Sequence, residues 1–246
     1  MTGMPRRRSV TIDAFPSSAN DHKGRAIVAI DVIRATTFAI TAVAAGRRCI
    51  VARDVDHAFE IRRRLPEALL AGETAGETPA GFDLTNSPAQ LVERTDTHRP
   101  VVMVSSSGTH LMLAAQEAAA SAYVACLRNV SAMSELLIEH EDDVVLIGAG
   151  SRGEFREEDQ LGCAWIGANL LAAGFEPTDD RTRAVIDRWS GATVRDLEGG
   201  KSVTYLRRSG QMLDFDFIAS HLDDLDLVAS IGSGEVTAPS VLEVAV

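Results

Sequence analysis

Short apolar segments alternate with longer amphipathic segments through the first two-thirds of the chain, and this alternation constrains the fold more than any other feature. Typical apolar segments are RAIVAID at 25–31 and DVVLIGAG at 143–150. Nearly continuous apolar strands are buried on both faces, and strands separated by helices form parallel sheets. The pattern predicts an α/β fold, a three-layer sandwich with a mainly parallel or mixed sheet flanked by helices.

The predicted strands are short apolar runs bounded by polar residues or glycine, and helical patterns follow most of them. They lie at 25–31, 49–54, 67–73, 100–106, 122–127 and 143–150. The last third of the chain is more helical and contains no clear linker. We therefore predict one α/β unit over residues 1–246, with a possible division into two lobes at a weak break near 171–180.

Charge and apolar content limit the kind of partner. The formal net charge of −11 argues against nucleic acid or an anionic membrane. No apolar run reaches the roughly 18 residues of a membrane span, and no signal-peptide pattern is present. Cys49, Cys126 and Cys163 are far apart in apolar segments, which favours reduced core thiols over disulfides or a zinc site. We expect a cytoplasmic enzyme of a size that often forms homodimers.

Polar residues gather where the predicted strands end, the edge at which ligands bind in open α/β sheets. Carboxylates, one arginine and a turn rich in hydroxyls and glycine meet there. The residues are Asp31, Arg34, Thr36, Glu73, Asp83, Asn86, Ser105, Ser106, Ser107, Gly108, Thr109, Glu158 and Asp159. Such a set predicts a site for a divalent cation and an oxyanion, because hard oxygen ligands favour Mg²⁺ or Mn²⁺ and guanidinium and N–H groups favour phosphate.

Structural roles are alternatives for some of these residues. Thr36 is equally consistent with a helix cap, and the NSP sequence at 86–88 favours an N-cap followed by a proline in the first helical turn. Arg34 is either a structural partner of Asp31 or a ligand for phosphate or sulfonate. Asp31 is harder to explain as structural, because an acid that ends a buried strand is costly without a partner.

The segment LIGAGSRGEFREED at 146–159 suggests two different functions. Gly148, Gly150 and Gly153 have the spacing of a dinucleotide-binding turn. A nucleotide- or metabolite-binding protein without turnover, using this turn, is therefore an alternative to an enzyme. The turn follows a late strand, however, and the acids after it would repel a pyrophosphate. Metal binding or base catalysis by these acids is the preferred interpretation.

Motifs of several hydrolase classes are missing. The second Asp of a haloacid-dehalogenase motif is replaced by Ile33, and no cysteine precedes an arginine at the spacing of a cysteine phosphatase. A P-loop and a G-x-S-x-G nucleophile elbow are also absent. Of the mechanisms considered, metal-assisted chemistry on an anionic substrate is the one that the sequence still allows.

Blocks of the sequence resemble the 2-phosphosulfolactate phosphatase family over roughly residues 10–235. The blocks are AIDVIRATTFAITAVAAG, GETAGETPAGFDLTNSP, VSSSGTHLMLAA and GAGSRGEFREEDQLGCAWI. The resemblance implies a family-specific α/β fold and Mg²⁺-dependent hydrolysis of (2R)-2-phospho-3-sulfolactate to 3-sulfolactate and phosphate, a reaction linked to coenzyme M biosynthesis. Thr74 replaces a basic residue and SSSGT replaces a common TTNGT, so another small phosphorylated 2-hydroxy acid is an alternative substrate.

Together, the strand-end residues and the resemblance assign roles to the site. We expect Mg²⁺ as cofactor, and its expected ligands are Asp31, Glu73, Asp83 and Asp159. The expected catalytic residues are Asp31, Arg34, Glu158 and Asp159. The expected substrate-binding residues are Arg34, Thr36, Asn86, Ser106, Ser107, Gly108 and Thr109. The division of labour among the carboxylates and the role of the C-terminal third stay open.

Overall fold

A ten-stranded sheet organises the computed structural model, which describes residues 8–238. The predicted unit of 1–246 therefore extends at both ends beyond the described residues. In chain order the strands are β1 (Ser9–Ala14), β2 (Ala26–Ile30), β3 (Cys49–Val51), β4 (Leu69–Gly72), β5 (Val101–Val104), β6 (Ser121–Ala125), β7 (Asp143–Gly148), β8 (Glu176–Pro177), β9 (Ala229–Gly232) and β10 (Glu235–Thr237).

Helices connect most of these strands. They are α1 (Ala35–Ala44), α2 (Val55–Arg64), α3 (Pro88–Val92), α4 (Gly108–Ala118), α5 (Val130–His140), α6 (Glu157–Ala172), α7 (Asp180–Trp189), α8 (Lys201–Arg208) and α9 (Met212–Ser220). Two short 3₁₀ segments lie at Pro16–His22 and Val194–Leu197.

The sheet is mixed, with the strand order β4-β5-β3-β10-β9-β6-β2-β7-β1-β8. Strands β4, β5 and β3 are mutually parallel on one side, and β6, β2, β7, β1 and β8 are parallel on the other. The β9–β10 hairpin lies between the two groups and pairs antiparallel with β6 and β3. A late hairpin thus joins two parallel half-sheets that the chain forms earlier.

Both faces of the sheet are covered. In β2, Val28 and Ile30 pack into one core with residues of α5 to α9, whereas Ile27 and Ala29 pack into a second core with Phe38 of α1. Alternate residues of a strand point to opposite faces, so a strand apolar throughout must be buried on both sides. The prediction of an α/β sandwich with a mixed sheet is confirmed.

The apolar strands predicted from the sequence correspond to β2 to β7, usually with one to three residues fewer at their ends. The NSP segment forms a cap: Ser87 accepts a hydrogen bond from the Gln90 N–H, and Pro88 opens α3. The break near 171–180 contains the edge strand β8, which pairs with β1. The two-lobe division stays a prediction.

The three cysteines lie in the apolar interior. Cys49, Cys126 and Cys163 are free and buried, as predicted. Within residues 8–238, no helix combines the length and the apolar character needed to cross a membrane.

Candidate active site

A cavity of about 940 Å³ opens where β2, β4, β5 and β7 end. Strand ends, the turn that follows β7, the start of α6 and the helix α8 form its wall. Its lining residues include Asp31, Arg34, Glu73, Asn86, Ser105, Ser106, Ser107, Arg152, Arg156, Glu158, Asp159, Lys201, Ser202, Tyr205 and Arg208. The structure therefore brings together most of the polar residues that the sequence places after strand ends.

Asp31 is held between the starts of α1 and α4. Its Oδ1 accepts a hydrogen bond from the Ala35 N–H at 3.2 Å, and the Thr36 hydroxyl binds the Asp31 backbone. Gly108 opens α4 beside the carboxylate, and a side-chain carbon at Gly108 would lie 2.3 Å from Asp31 Oδ2. Glycine is thus required there so that a buried acid can approach the N-terminus of α4.

The first turn of α6 supplies two more buried carboxylates. Asp159 accepts the Val32 N–H at 2.9 Å and the Gly150 N–H at 3.0 Å, one on each carboxylate oxygen. Glu158 accepts a hydrogen bond from Ser202 of α8. These contacts fix the α6 acids against the loop after β2 and against α8.

Burial and mutual repulsion make these three acids hard to ionise together. Burial, with the negative charges of Glu158 and Glu73, raises the pKa of Asp31 to about 7, although the Ala35 N–H and Arg34 oppose the rise. Burial also raises the pKa of Glu158. The pKa of Asp159 lies well above its usual range because of burial and the charges of Asp31 and Glu158. Such a cluster favours a compensating cation.

Glu73 organises the turn after β5 and the loop after β4. Its Oε1 accepts the Ser106 N–H at 2.7 Å, and its Oε2 accepts the Gly76 N–H at 2.7 Å and the Ser106 hydroxyl at 2.9 Å. Both oxygens are therefore engaged by the loops that they connect. Glu73 lines the cavity, but its contacts are those of a residue that positions the serine turn.

Arg34 is buried and pairs with Asp214 of α9, a residue that the sequence did not single out. Asp214 also binds the Ser87 hydroxyl and accepts the Ala89 N–H at 3.3 Å. One carboxylate thus joins Arg34, the start of α3 and α9. This contact gives the C-terminal third a direct part in the site.

The structure does not bring every predicted residue to the cavity. Asp83 lies outside the cavity lining. Its Oδ2 accepts hydrogen bonds from Arg62 at 2.8 Å and from the Leu70 N–H at 2.9 Å. Asp83 is therefore not among the metal ligands that we propose below. Thr36 and Thr109 are buried, and their hydroxyls bind the backbone of Asp31 and Ser105. They hold the backbone of the site in place and do not line the cavity.

Basic residues in the lining were also missed, two of them in α8 and two between β7 and α6. Lys201, Tyr205 and Arg208 are spaced by four and three residues, which places them on one helix face, while Val203 and Leu206 enter the core. That amphipathic pattern was readable in the sequence, but nothing local shows that the polar face meets the strand ends. Arg152 and Arg156 lie within the glycine-rich segment 146–159, where the sequence signal comes from the glycines and the acids.

The glycine spacing does not form a nucleotide cradle in this structure. The Gly150 N–H is used by Asp159, and a side-chain carbon at Gly148 would lie 2.3 Å from the Phe155 ring. The glycines instead allow a tight turn that packs against the acids. The geometry favours the interpretation based on carboxylates.

The carboxylates are compatible with Mg²⁺. Among residues 8–238, no three His, Cys, Asp or Glu side chains are grouped so as to hold a metal ion by themselves. Mg²⁺ commonly takes only one or two carboxylates and completes its shell with water and substrate phosphate. Asp31 and Asp159 provide such oxygens in the cavity.

A mixed α/β sheet that collects buried acids, a serine turn and several cations at its strand ends is the framework of an enzyme for a small anionic substrate. The chain belongs to the 2-phosphosulpholactate phosphatase family, whose family model matches residues 13–233. The resemblance read from the motifs is confirmed, and so is the prediction of a phosphoric monoester hydrolase.

Several curated relatives support this membership, each named as a probable 2-phosphosulfolactate phosphatase. The protein from Deinococcus radiodurans is 30% identical over 228 residues, which cover 91% of this chain and 93% of the relative. That from Symbiobacterium thermophilum is 30% identical over 87% of this chain and 91% of the relative. That from Pseudothermotoga lettingae is 35% identical over 69% and 71%.

Proposed function

We propose that the protein is a Mg²⁺-dependent phosphatase that hydrolyses 2-phospho-3-sulfolactate, or a related small phosphorylated 2-hydroxy acid, to the hydroxy acid and phosphate. The observation that carries the proposal is the cluster of Asp31, Glu158 and Asp159, three buried carboxylates in one cavity of a chain from this family. The names of the relatives support the substrate class.

Asp31 and Asp159 are the proposed ligands of the cation. Their carboxylates line the cavity, and neither forms an ion pair in the described part of the chain. When bound, Mg²⁺ would neutralise charge on the phosphoryl oxygens as the ester bond breaks. Glu73 is less suited than these two, because the serine turn and the Gly76 N–H occupy its oxygens.

Residues of the chain itself would position the reacting groups. Glu73 engages both donors of Ser106, so Ser107 and the Ser105 hydroxyl would be the donors of the serine turn at 105–107 to the phosphoryl oxygens. Arg34, which is paired with Asp214, would add guanidinium N–H groups. Glu158, which is not assigned to the cation, would orient the attacking water and take its proton. The water oxygen bonds to phosphorus as the phosphorus–oxygen ester bond breaks. The proton then passes to the leaving alkoxide oxygen, which becomes the hydroxyl of the hydroxy acid.

Two finer expectations belong to the same proposal. We place the enzyme in the cytoplasm, in agreement with three buried free cysteines. A role in coenzyme M biosynthesis follows if 2-phosphosulfolactate is the physiological substrate. The homodimer stays a prediction.

A substrate panel tests the function. Purified protein with Mg²⁺ is given 2-phosphosulfolactate, 2-phospholactate and p-nitrophenyl phosphate, and phosphate release is measured. We expect the highest kcat/KM for a 2-phospho acid. No phosphate release from any ester, together with tight binding of NAD or ATP in calorimetry, would contradict the proposal and favour the binding-protein alternative.

A further inference from the structure

Two arginines at the cavity, Arg152 and Arg208, carry a charge that no acid in the described part of the chain neutralises. Arg156 and Lys201 share Glu154, at 2.8 Å for the Arg156 contact, so their combined charge is reduced. By contrast, neither Arg152 nor Arg208 forms a side-chain hydrogen bond or an ion pair with any residue of 8–238. Both side chains are exposed and border the cavity.

Arg152 occupies this position at a conformational cost. It lies in a two-residue turn in which the Ser151 N–H donates to the Glu154 carbonyl at 2.9 Å and the Glu154 N–H returns a bond at 3.0 Å. The central residues have φ values of 52° for Arg152 and 75° for Gly153. Positive φ at both positions is typical of a type I′ turn, which favours Asn-Gly or Asp-Gly because other side chains are strained there.

Two other turns of the molecule have the same backbone geometry and allow a comparison of the residue types in it. Ala75-Gly76 has φ values of 54° and 92°, and Ser233-Gly234 has 53° and 74°. Their first residues are small, and Ser233 lies outside the cavity lining. Of these three turns, only that of Arg152 holds a long cationic side chain in the strained position, at the edge of the proposed active site. Strain at such a place is a sign of function.

The acids and the two arginines of the cavity differ in burial and come from different parts of the fold. The acids Asp31, Glu158 and Asp159 are buried, whereas Arg152 and Arg208 are exposed and come from the turn after β7 and the end of α8. A phosphate held with a cation at the buried acids leaves these arginines for another anionic group of the same ligand. Guanidinium groups offer paired N–H donors that can bind the oxygens of a carboxylate or of a sulfonate.

We propose that Arg152, with Arg208, binds the second acidic group of the substrate, a carboxylate or a sulfonate, and thereby selects phosphate esters that carry such a group. This inference rests on the proposed function, since it assumes that the phosphate ester lies at the buried carboxylates. Arg152 is then a specificity residue, and its side chain takes no part in breaking the ester bond.

The test compares R152N with S233N, a matched change in an equivalent turn outside the cavity. Asn suits the turn in both places, so we expect that neither variant lowers Tm. We expect R152N to raise KM for 2-phosphosulfolactate about tenfold or more, with kcat little changed, because a charge-assisted contact to the ground state and transition state is lost. KM for p-nitrophenyl phosphate should not change, S233N should behave as wild type, and R152K should recover part of the loss.

The substrates also identify the group that is bound. An equal effect of R152N on 2-phospholactate assigns Arg152 to the carboxylate, and an effect confined to 2-phosphosulfolactate assigns it to the sulfonate. The inference is overturned if R152N alters KM equally for p-nitrophenyl phosphate, or leaves every KM unchanged.

Calorimetry separates a failure of this inference from a failure of the phosphatase proposal. With 3-sulfolactate as ligand, which has no phosphate, R152N should bind about tenfold more weakly than wild type or S233N. Inorganic phosphate should bind to all three equally. A weakened 3-sulfolactate affinity without turnover of any ester would retain the anion site and reject the phosphatase proposal. Equal affinities would reject the anion site whatever the turnover.

Discussion

At the scale of single residues, the buried acids differ in how their oxygens are used. Asp31 accepts one backbone N–H, on Oδ1, whereas Asp159 accepts a backbone N–H on each oxygen. Asparagine can substitute for Asp31, because its single carbonyl oxygen is enough to accept the one N–H. Asparagine cannot substitute for Asp159 in the same way, because its NH₂ group would face a backbone donor.

This difference predicts contrasting effects of D31N and D159N. Both variants should lose turnover by orders of magnitude if the carboxylates serve the cation. D31N also removes one of several buried like charges, so its free energy of unfolding should equal or exceed that of wild type. D159N should be less stable than D31N by about 1–3 kcal/mol, the cost of an unsatisfied buried donor. Urea unfolding in EDTA measures the difference, and wild-type turnover by either variant would remove that residue from the site.

Residues such as Asp31 could be found from the sequence because they follow an apolar strand directly, where burial makes an unpaired acid costly. Asp83 shows the limit of that reasoning. It lies in an irregular loop, and nothing local reveals that the loop turns its carboxylate towards Arg62 and the Leu70 N–H. Arg152 could not be singled out from the sequence either, because the strain on its side chain arises from a positive φ that the residue type does not reveal.

At the scale of helices and strands, α9 holds the site together through one carboxylate. Asp214 and Arg34 are both buried, and Asp214 also accepts a hydrogen bond from the hydroxyl of Ser87, the residue before α3. Breaking a buried ion pair leaves a charge without compensation. Helix α9 is therefore a structural part of the active site, although it begins at Met212 and the last of the strand ends at the cavity, that of β7, lies at Gly148.

We expect D214N to lower the free energy of unfolding by about 3–5 kcal/mol, because Arg34 would stay buried without its counter-charge. L213A is the matched control on the same helix, since Leu213 is 71% exposed, and it should change stability by less than about 0.5 kcal/mol. Both variants are compared by urea denaturation. Similar stabilities for D214N and L213A would show that the pair contributes little.

The apolar strands β2 to β7 were predictable because burial on both faces leaves a continuous apolar run. The β9–β10 hairpin was not, since its sequence ASIGSGEVT has few apolar residues and several glycines and serines. Its place between β6 and β3 depends on two half-sheets formed far away in the chain. Likewise, the polar face of α8 meets the cavity only through tertiary packing.

At the scale of the whole molecule, this hairpin joins the two halves of the sheet. Ile231 and Val236 are buried, and β9 and β10 each pair on both sides. The strand β8, by contrast, has only two residues and pairs with β1 at the sheet edge. Position in the sheet, and not position in the chain, should decide local stability.

Hydrogen exchange tests this expectation. Amides of Ile231 and Val236 should exchange at rates set by global unfolding, although they lie close to the C-terminus, whereas the Glu176 amide at the edge should exchange through local opening. Faster exchange in the hairpin than at Glu176 would show that the two half-sheets are stable without it.

In the cavity as a whole, the buried carboxylates are proposed to bind a divalent cation that the hydrolysis of a phosphate ester requires. The most direct measurement is phosphate release from 2-phosphosulfolactate by the wild-type protein, first treated with EDTA and then titrated with Mg²⁺. We predict a background rate in EDTA and a saturable rise of at least about a hundredfold as Mg²⁺ is added. A rate in EDTA equal to that with Mg²⁺ would show that the hydrolysis needs no divalent cation.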